Sequence, residues 1–380
     1  MATVRSAEDG VAPTGAAPTL GLVLAGIALA AGFLPWTGGQ PLVTLDAVDG
    51  SAVAAGLAGV ATAAFALRRY GILDRSVGSA VAGLLALGVV VVAVYRLVQP
   101  AIGGATPDIG PGLPVAAVAG LGGVAVAVAD WLALPDDALW RRVRGFGAAV
   151  VMGFLGLLAG GLMGQLVGSI GYAFGQNVAI SLLTAGSGLG LVLYVVVYLR
   201  LRDLEWSYID LHWPSRRDAA YTVGGVVLLL VALGGIGYLL QQLGVPSATS
   251  SIERQAEQMA NPVFLLALVP LSFVAIGLGE ELVFRNVVQK YLYESFSRPT
   301  AVVVASVAFA AVHFQQYASP NPVATLTTLG VVFTLSLALG WIYYRTENLV
   351  VPVLVHGAFN AIQFAGLYVR LTGGLSGLGF

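Results

Sequence analysis

Three short stretches carry residues whose types and spacing suit chemistry. In "GLGEELVFRNVV", residues 277–288, two carboxylates and a guanidinium fall within six positions, flanked by apolar sequence. Glu281 and Arg285 are four apart, share a helix face and can form an ion pair. Glu280 is rotated by about 100° from that face and has no local partner. "FAAVHF" sets Phe309 and His313 four apart, and "HGAFN" does the same for His356 and Asn360. The chain has three histidines; the third, His212 beside "WPSRRD", reads as a solvated or interfacial side chain. A glutamate in a low-dielectric site favours holding a proton, which suits it to take one from water. A neighbouring imidazole can position that water, while an amide and a second imidazole donate to a developing oxyanion. Alternatively, Glu280, His313 and His356 could hold one zinc ion with an open position for water. Both schemes hydrolyse a carbonyl without a covalent intermediate. With no cysteine in the chain, thiol nucleophiles, Cys-ligated zinc and disulfides are excluded.

The elements that must position these groups are membrane helices. Of 380 residues only 10% are charged and 58% are hydrophobic, with a mean hydropathy of +0.87. A soluble domain is nearer a quarter charged. The net charge of −1 gives no footprint for nucleic acid. A bilayer core asks for roughly 20 apolar residues per helix. Such runs recur near 19–36, 51–67, 76–98, 112–134, 146–170, 178–200, 220–241, 263–289, 300–316, 323–344 and 349–369, the second and ninth being short. The fold class is therefore all-α, a polytopic bundle of about eleven spans. With the N-terminus cytoplasmic, the loop arginines and Lys290 gather on the inside. Of 18 basic residues only Arg96, Arg254 and Arg370 fall outside, and Arg285 lies within a span. That asymmetry is the positive-inside pattern. Arg5 against Glu8 and Asp9 makes a poor signal-peptide n-region, although "ALAAG" resembles a cleavage site. Gly156, Gly160, Gly164 and Gly168 line one face of the fifth span, as close helix packing in lipid requires.

Two regions follow. Residues 1–135 hold four Ala/Gly/Val-rich spans without evident chemistry, Asp130 lying near a membrane edge; residues 136–380 hold the motifs, with a core at about 262–365. Each ionisable group at mid-span costs about 2.5–3.5 kcal/mol on insertion scales, so three on one helix must pair or act. At 1.5 Å per residue, Glu280 lies some 15 Å and His356 about 10 Å from the cytoplasmic helix ends, with His313 deeper at roughly 20 Å. The four groups Glu280, His313, His356 and Asn360 should converge, in a cavity opening toward the cytoplasm.

The order "EELVFR", "FAAVH", "HGAFN", each on its own apolar helix, resembles the type II CAAX prenyl protease family, the wider CPBP or ABI group of intramembrane proteases. The resemblance covers about 262–365 and does not reach residues 1–135. It implies that Glu280 is the general base, that His313 helps activate the water and that His356 and Asn360 stabilise the oxyanion. Glu281 and Arg285 would organise the site. It leaves a divalent zinc and a metal-free glutamate mechanism both open. The implied partner is a peptide or protein substrate, either a prenylated CAAX terminus or a bacteriocin-type precursor, met in membrane lipid, and the location a prokaryotic plasma membrane. Three other readings fit parts of the pattern. A transporter or proton relay would use the same Glu/Arg/His cluster and needs helices broken at mid-membrane. A cytochrome would use His313 and His356 as haem ligands but leaves Glu280, Glu281 and Arg285 without a role. A degenerate scaffold would have no need of intact motifs.

Overall fold

The structure is a computed structural model that describes residues 15–38, 46, 50–102 and 105–373. Arg5 and the polar N-terminal flank lie outside the described residues. Among the described residues every regular element is helical. Eleven helices follow the apolar runs: α1 (Ala16–Gly32), α2 (Ser51–Arg69), α3 (Arg75–Ile102), α4 (Gly112–Trp131), α5 (Asp136–Gly171), α6 (Gln176–Leu201), α7 (Arg216–Gln242), α8 (Phe264–Leu292), α9 (Arg298–Val312), α10 (Pro322–Thr346) and α11 (Val350–Thr372). Nine of them are long and apolar enough to cross a membrane. The chain is an integral, multi-pass membrane protein. The two shorter apolar helices are α1 and α9, whereas α2, expected to be short, extends to 19 residues because its terminal Arg68 and Arg69 continue the helix.

Contacts divide the chain into two compact units, Met1–Arg142 and Val143–Phe380. In the first, α1 to α4 pack as a closed ring of neighbours, α1 against α2 and α4, and α3 against α2 and α4. Alanines fill much of that interior, including Ala28, Ala54, Ala58 and Ala116. Small side chains let the backbones approach closely, which supplies the dispersion contacts that hold helices together where lipid is as apolar as the core. The sequence assigned Arg68 to a loop and Asp130 to a membrane edge. Both stand in the last turn of their helices, α2 and α4, and are buried there, with Arg68 Nε donating to Asp130 Oδ2 at 2.9 Å and Ser79 Oγ donating to the same oxygen at 2.6 Å.

In the second unit α8 is central, packing against α6, α9, α10 and α11. Along α5 the expected small-residue face meets α6: a Cβ on Gly164 would stand 2.2 Å from Ser187 Oγ, and one on Gly168 2.8 Å from Leu183 Cβ. Helix starts follow local chemistry. Ser215 and Asp218 form a capping box at α7, and Asn321 Oδ1 accepts from the backbone N–H groups of Val323 and Ala324 at α10, where Pro322 has no N–H in need of an acceptor.

Consecutive helices run antiparallel, so this unit has two ends. At one lie residues 202–215, 293–297 and 347–349, tied together by Arg202–Glu294 at 3.9 Å, by Lys290–Asp210 at 3.1 Å and by Arg217 donating to the Arg345 carbonyl at 3.1 Å. At the other lie residues 243–263 and 313–321 and the α5–α6 turn, joined by Asn177, which accepts from Phe264 N at 2.9 Å, and by Ala248 N donating to Thr328 at 2.8 Å.

Candidate active site

Glu280 and Glu281 sit on the one stretch of α8 that is regular α-helix between two π-helical turns, Ser272–Gly277 and Leu282–Gln289. A π turn inserts a residue into the helical register and re-aims the side chains around it. On one side α8 crosses α11 with almost no space between them. A Cβ on Gly277 would lie 2.8 Å from its own helix's Ser272 carbonyl and 3.0 Å from the Val353 carbonyl; one on Gly357 would lie 2.5 Å from the Phe273 ring. Only glycine permits this approach.

The two carboxylates have different surroundings. Glu281 is fully buried and bonded at both oxygens: Arg285 Nε donates to Oε2 at 2.8 Å and His356 Nδ1 to Oε1 at 2.8 Å. Arg285, also fully buried, donates to Ser336 Oγ from Nη1 and from Nη2 at 3.1 Å each, and lies 5.0 Å over the Phe309 ring. Every charge on this face is thus paired, as burial demands.

Glu280 turns the other way. Its Oε2 is buried without a hydrogen-bond partner, and it faces His313 Nε2 at 3.7 Å and His356 Nε2 at 4.0 Å. These separations exceed hydrogen bonding. His313 bonds through Nδ1 to the Phe309 carbonyl at 2.7 Å; a carbonyl only accepts, so Nδ1 carries the proton and Nε2 is left for the site. α9 ends at Val312 and His313 caps it, so the side chain expected deepest by helical rise stands where the helix stops and faces Glu280. Phe309 is the common platform, with its ring centroid 4.4 Å from His313, 6.1 Å from His356 and 5.0 Å from Phe284. Asn360, one turn beyond His356 on α11, lines the same space.

That space is a cavity of about 890 Å³, toward the upper end of the range usual for ligand pockets. Its walls run from Glu280, His313, His356 and Asn360 to Ser250, Glu253, Gln315, Gln316 and Arg370. The cavity does not reach the arginine-rich end. Its polar mouth lies at the end carrying residues 243–263 and 313–321, because the other end is closed by a polar network. There Asp210 accepts from Lys290 Nζ at 3.1 Å and from the Tyr343 hydroxyl, and Asp210 O accepts from Leu349 N at 2.7 Å. Asn286 Nδ2 donates to the Tyr208 carbonyl at 3.2 Å, and burial pushes the Tyr208 phenol up, keeping it neutral.

Ser336, Asp210 and Asn286 were not singled out from the sequence. Ser336 in "TLSLALG" looks like any small helical residue, and Asp210 lies in a polar loop where a carboxylate is unremarked. His212 is not at the site: its backbone N–H donates to Asn348 Oδ1 at 3.3 Å at the closed end. As for zinc, Glu280 Oε2 stands 3.7 and 4.0 Å from the two imidazoles, and among the described residues no group of three His, Asp or Glu side chains is drawn together as closely as metal donors are.

The order of motifs and their meeting on α8, α9 and α11 point to one family. Residues 262–362 match the family model described as type II CAAX prenyl endopeptidase Rce1-like. The resemblance read from the motifs is borne out over that segment. No curated protein and no solved structure matches the chain. The Rce1-like segment runs from just before α8 to the middle of α11 and contains all six motif residues, Glu280, Glu281, Arg285, His313, His356 and Asn360. A protease family brings with it a peptide or protein substrate and a membrane setting, and it supports a CAAX-protease-like membrane peptidase.

Proposed function

We propose that the chain is an intramembrane endopeptidase in which Glu280 activates water to attack a peptide carbonyl. The observation that carries this reading is the orphaned, buried Glu280 Oε2 facing two imidazole Nε2 atoms at 3.7 and 4.0 Å. Gaps of that size suit a water molecule hydrogen-bonded between the three groups. In the attack, the water oxygen bonds the carbonyl carbon, Glu280 takes the proton, and His313 Nε2 accepts a hydrogen bond that orients the water. His356 is held by its Nδ1–H to Glu281; as an imidazolium it turns Nε2–H toward the oxyanion, with the Asn360 amide as second donor. Collapse of the tetrahedral intermediate breaks the C–N bond. The proton held by Glu280 passes to the leaving nitrogen, giving a carboxylic acid and an amine, and the acid's own proton then moves to the amine, so that the products are a carboxylate and an ammonium. Arg285 neutralises Glu281, so His356 and Arg285 share one negative charge.

A conduit for ions or protons is less well supported. The cavity walls include none of the residues 202–215, 293–297 or 347–349 that close the far end, so the space is a blind pocket rather than a path.

The test is cleavage of a fluorogenic prenylated CAAX peptide and of an unprenylated peptide library by purified protein in detergent. Glu280→Gln should lose about 10²–10⁴-fold in rate, the usual contribution of a general base. A zinc chelator should leave the wild-type rate unchanged. Full activity in Glu280→Gln would sink the reading, and chelator sensitivity would replace the metal-free step.

A further inference from the structure

We infer that the substrate is an extracytoplasmic polypeptide segment, entering the site from the face opposite the arginine-rich loops; this rests on the peptidase reading above. Two independent observations meet here. The first is charge. In the second unit, the closed end carries Arg200, Arg202, Arg216, Arg217, Lys290, Arg298 and Arg345, whereas the open end carries Arg254 and Arg370. Membrane proteins keep the basic end in the cytoplasm. The residues that tie the closed end together include these same cations, so the assignment of charges to ends rests on contacts as well as on chain order.

The second is the cavity. From Glu280 its walls lead to Ser251, Gln316 and Arg370, all at the sparsely charged end. Arg370 is paired there with Glu253 and, at 3.4 Å, with Glu257. These pairs fasten the short helix Ser251–Glu257 to the end of α11 beside the mouth. The rim is polar and carries charges of both signs, while Leu183, Leu191, Phe284 and Leu335 line the interior. An extended peptide fits both parts, with its backbone hydrated at the rim and an apolar side chain inside. A lipidated tail made and held in the cytoplasm would meet the closed end, where Asp210, Lys290 and Tyr343 bond across the helix termini.

Because the chain has no cysteine, single cysteines report on exposure without background. Full-length Ser251→Cys and Gln316→Cys place a thiol at the mouth and in the cavity wall; Ser207→Cys places one at the closed end. Each is expressed in bacterial cells and treated with a membrane-impermeant maleimide, either as intact cells or as inverted vesicles, and then after denaturation to count total thiol. The expected result is labelling of S251C and Q316C in intact cells, and of S207C in inverted vesicles. Labelling of Q316C from the S207C side, from both sides, or only after denaturation would overturn the proposal. These readouts need no catalysis. An inactive protein with the expected labelling would therefore remove the peptidase reading and leave the sidedness standing.

Discussion

Glu280 and Glu281 are neighbours of identical chemistry, and their surroundings assign them opposite tasks. Glu281 ends two buried ion pairs, so its charge is fixed in place by Arg285 and His356. Removing it strands a buried guanidinium, which typically costs 3–5 kcal/mol. Glu281→Ala should therefore lower thermal stability in detergent by about that amount and abolish cleavage as a secondary effect. Glu280 Oε2 has no hydrogen bond to lose. Glu280→Gln should melt within about 0.5 kcal/mol of wild type, as a substitution that breaks no hydrogen bond does, while cleavage falls by about 10²–10⁴-fold. A large stability loss in Glu280→Gln would show that its carboxylate is structural. Asn360 separates from both: it lines the cavity on α11 with its amide available to the substrate. Loss of one oxyanion donor costs about 10²–10³-fold in kcat, so Asn360→Ala should show that loss with KM little changed. A change confined to KM would move Asn360 from the oxyanion to substrate binding.

At the scale of elements, the site exists because α8 is irregular and because it touches α11. The apolar runs placed ten of the eleven helices to within about four residues, since roughly 20 apolar positions leave little else for a chain to do in lipid; α5 instead begins at Asp136, ten residues before its run, because the charged stretch DDALWRRVR continues the helix. The i, i+4 spacings likewise made the Glu281–Arg285 pair and the Phe309–His313 contact legible. What stayed hidden is tertiary. Ser336 became a partner of Arg285 only through the packing of α10, and the π turns around Glu280 follow from packing that no periodicity reports. The place of His313 is tertiary too: helical rise puts it at roughly 20 Å along its helix, and α9 stops there, so the imidazole is carried at a helix end. The crossing offers a test. Gly357→Ala puts a methyl 2.5 Å from the Phe273 ring and 3.0 Å from the Phe273 Cα, so α8 and α11 must part. Overpacking of this kind costs about 1–3 kcal/mol, and a shift of about 1 Å at the reacting groups can cost 10²-fold in rate. Gly330→Ala on α10 meets nothing within 4 Å and serves as the control. Equal activity of the two variants would mean that the crossing does not set the site.

For the whole molecule, the chemistry belongs to one of two units. The first has its own interior and its own buried polar centre, Arg68 with Asp130 and Ser79, inside a ring of four helices with alanine-rich packing. Nothing in that centre resembles a hydrolytic site: its carboxylate is engaged at both oxygens by Arg68, Nε to Oδ2 at 2.9 Å and Nη2 to Oδ1 at 3.1 Å, with Ser79 added to the first. A carboxylate so held orders helices α2, α3 and α4 around one point. Asp130→Ala takes the carboxylate from Arg68 and should destabilise this unit by about 3–5 kcal/mol, the usual result of breaking a buried pair. If the unit serves as a membrane scaffold without chemistry of its own, peptide cleavage by the folded fraction should keep its wild-type kcat while the melting curve develops an early transition. Tryptophan fluorescence offers a local probe, because Trp36 is buried in this unit with its indole N–H donating to the Ala31 carbonyl at 3.0 Å. A fall in kcat matching the fall in stability would instead give the N-terminal helices a share in building the site.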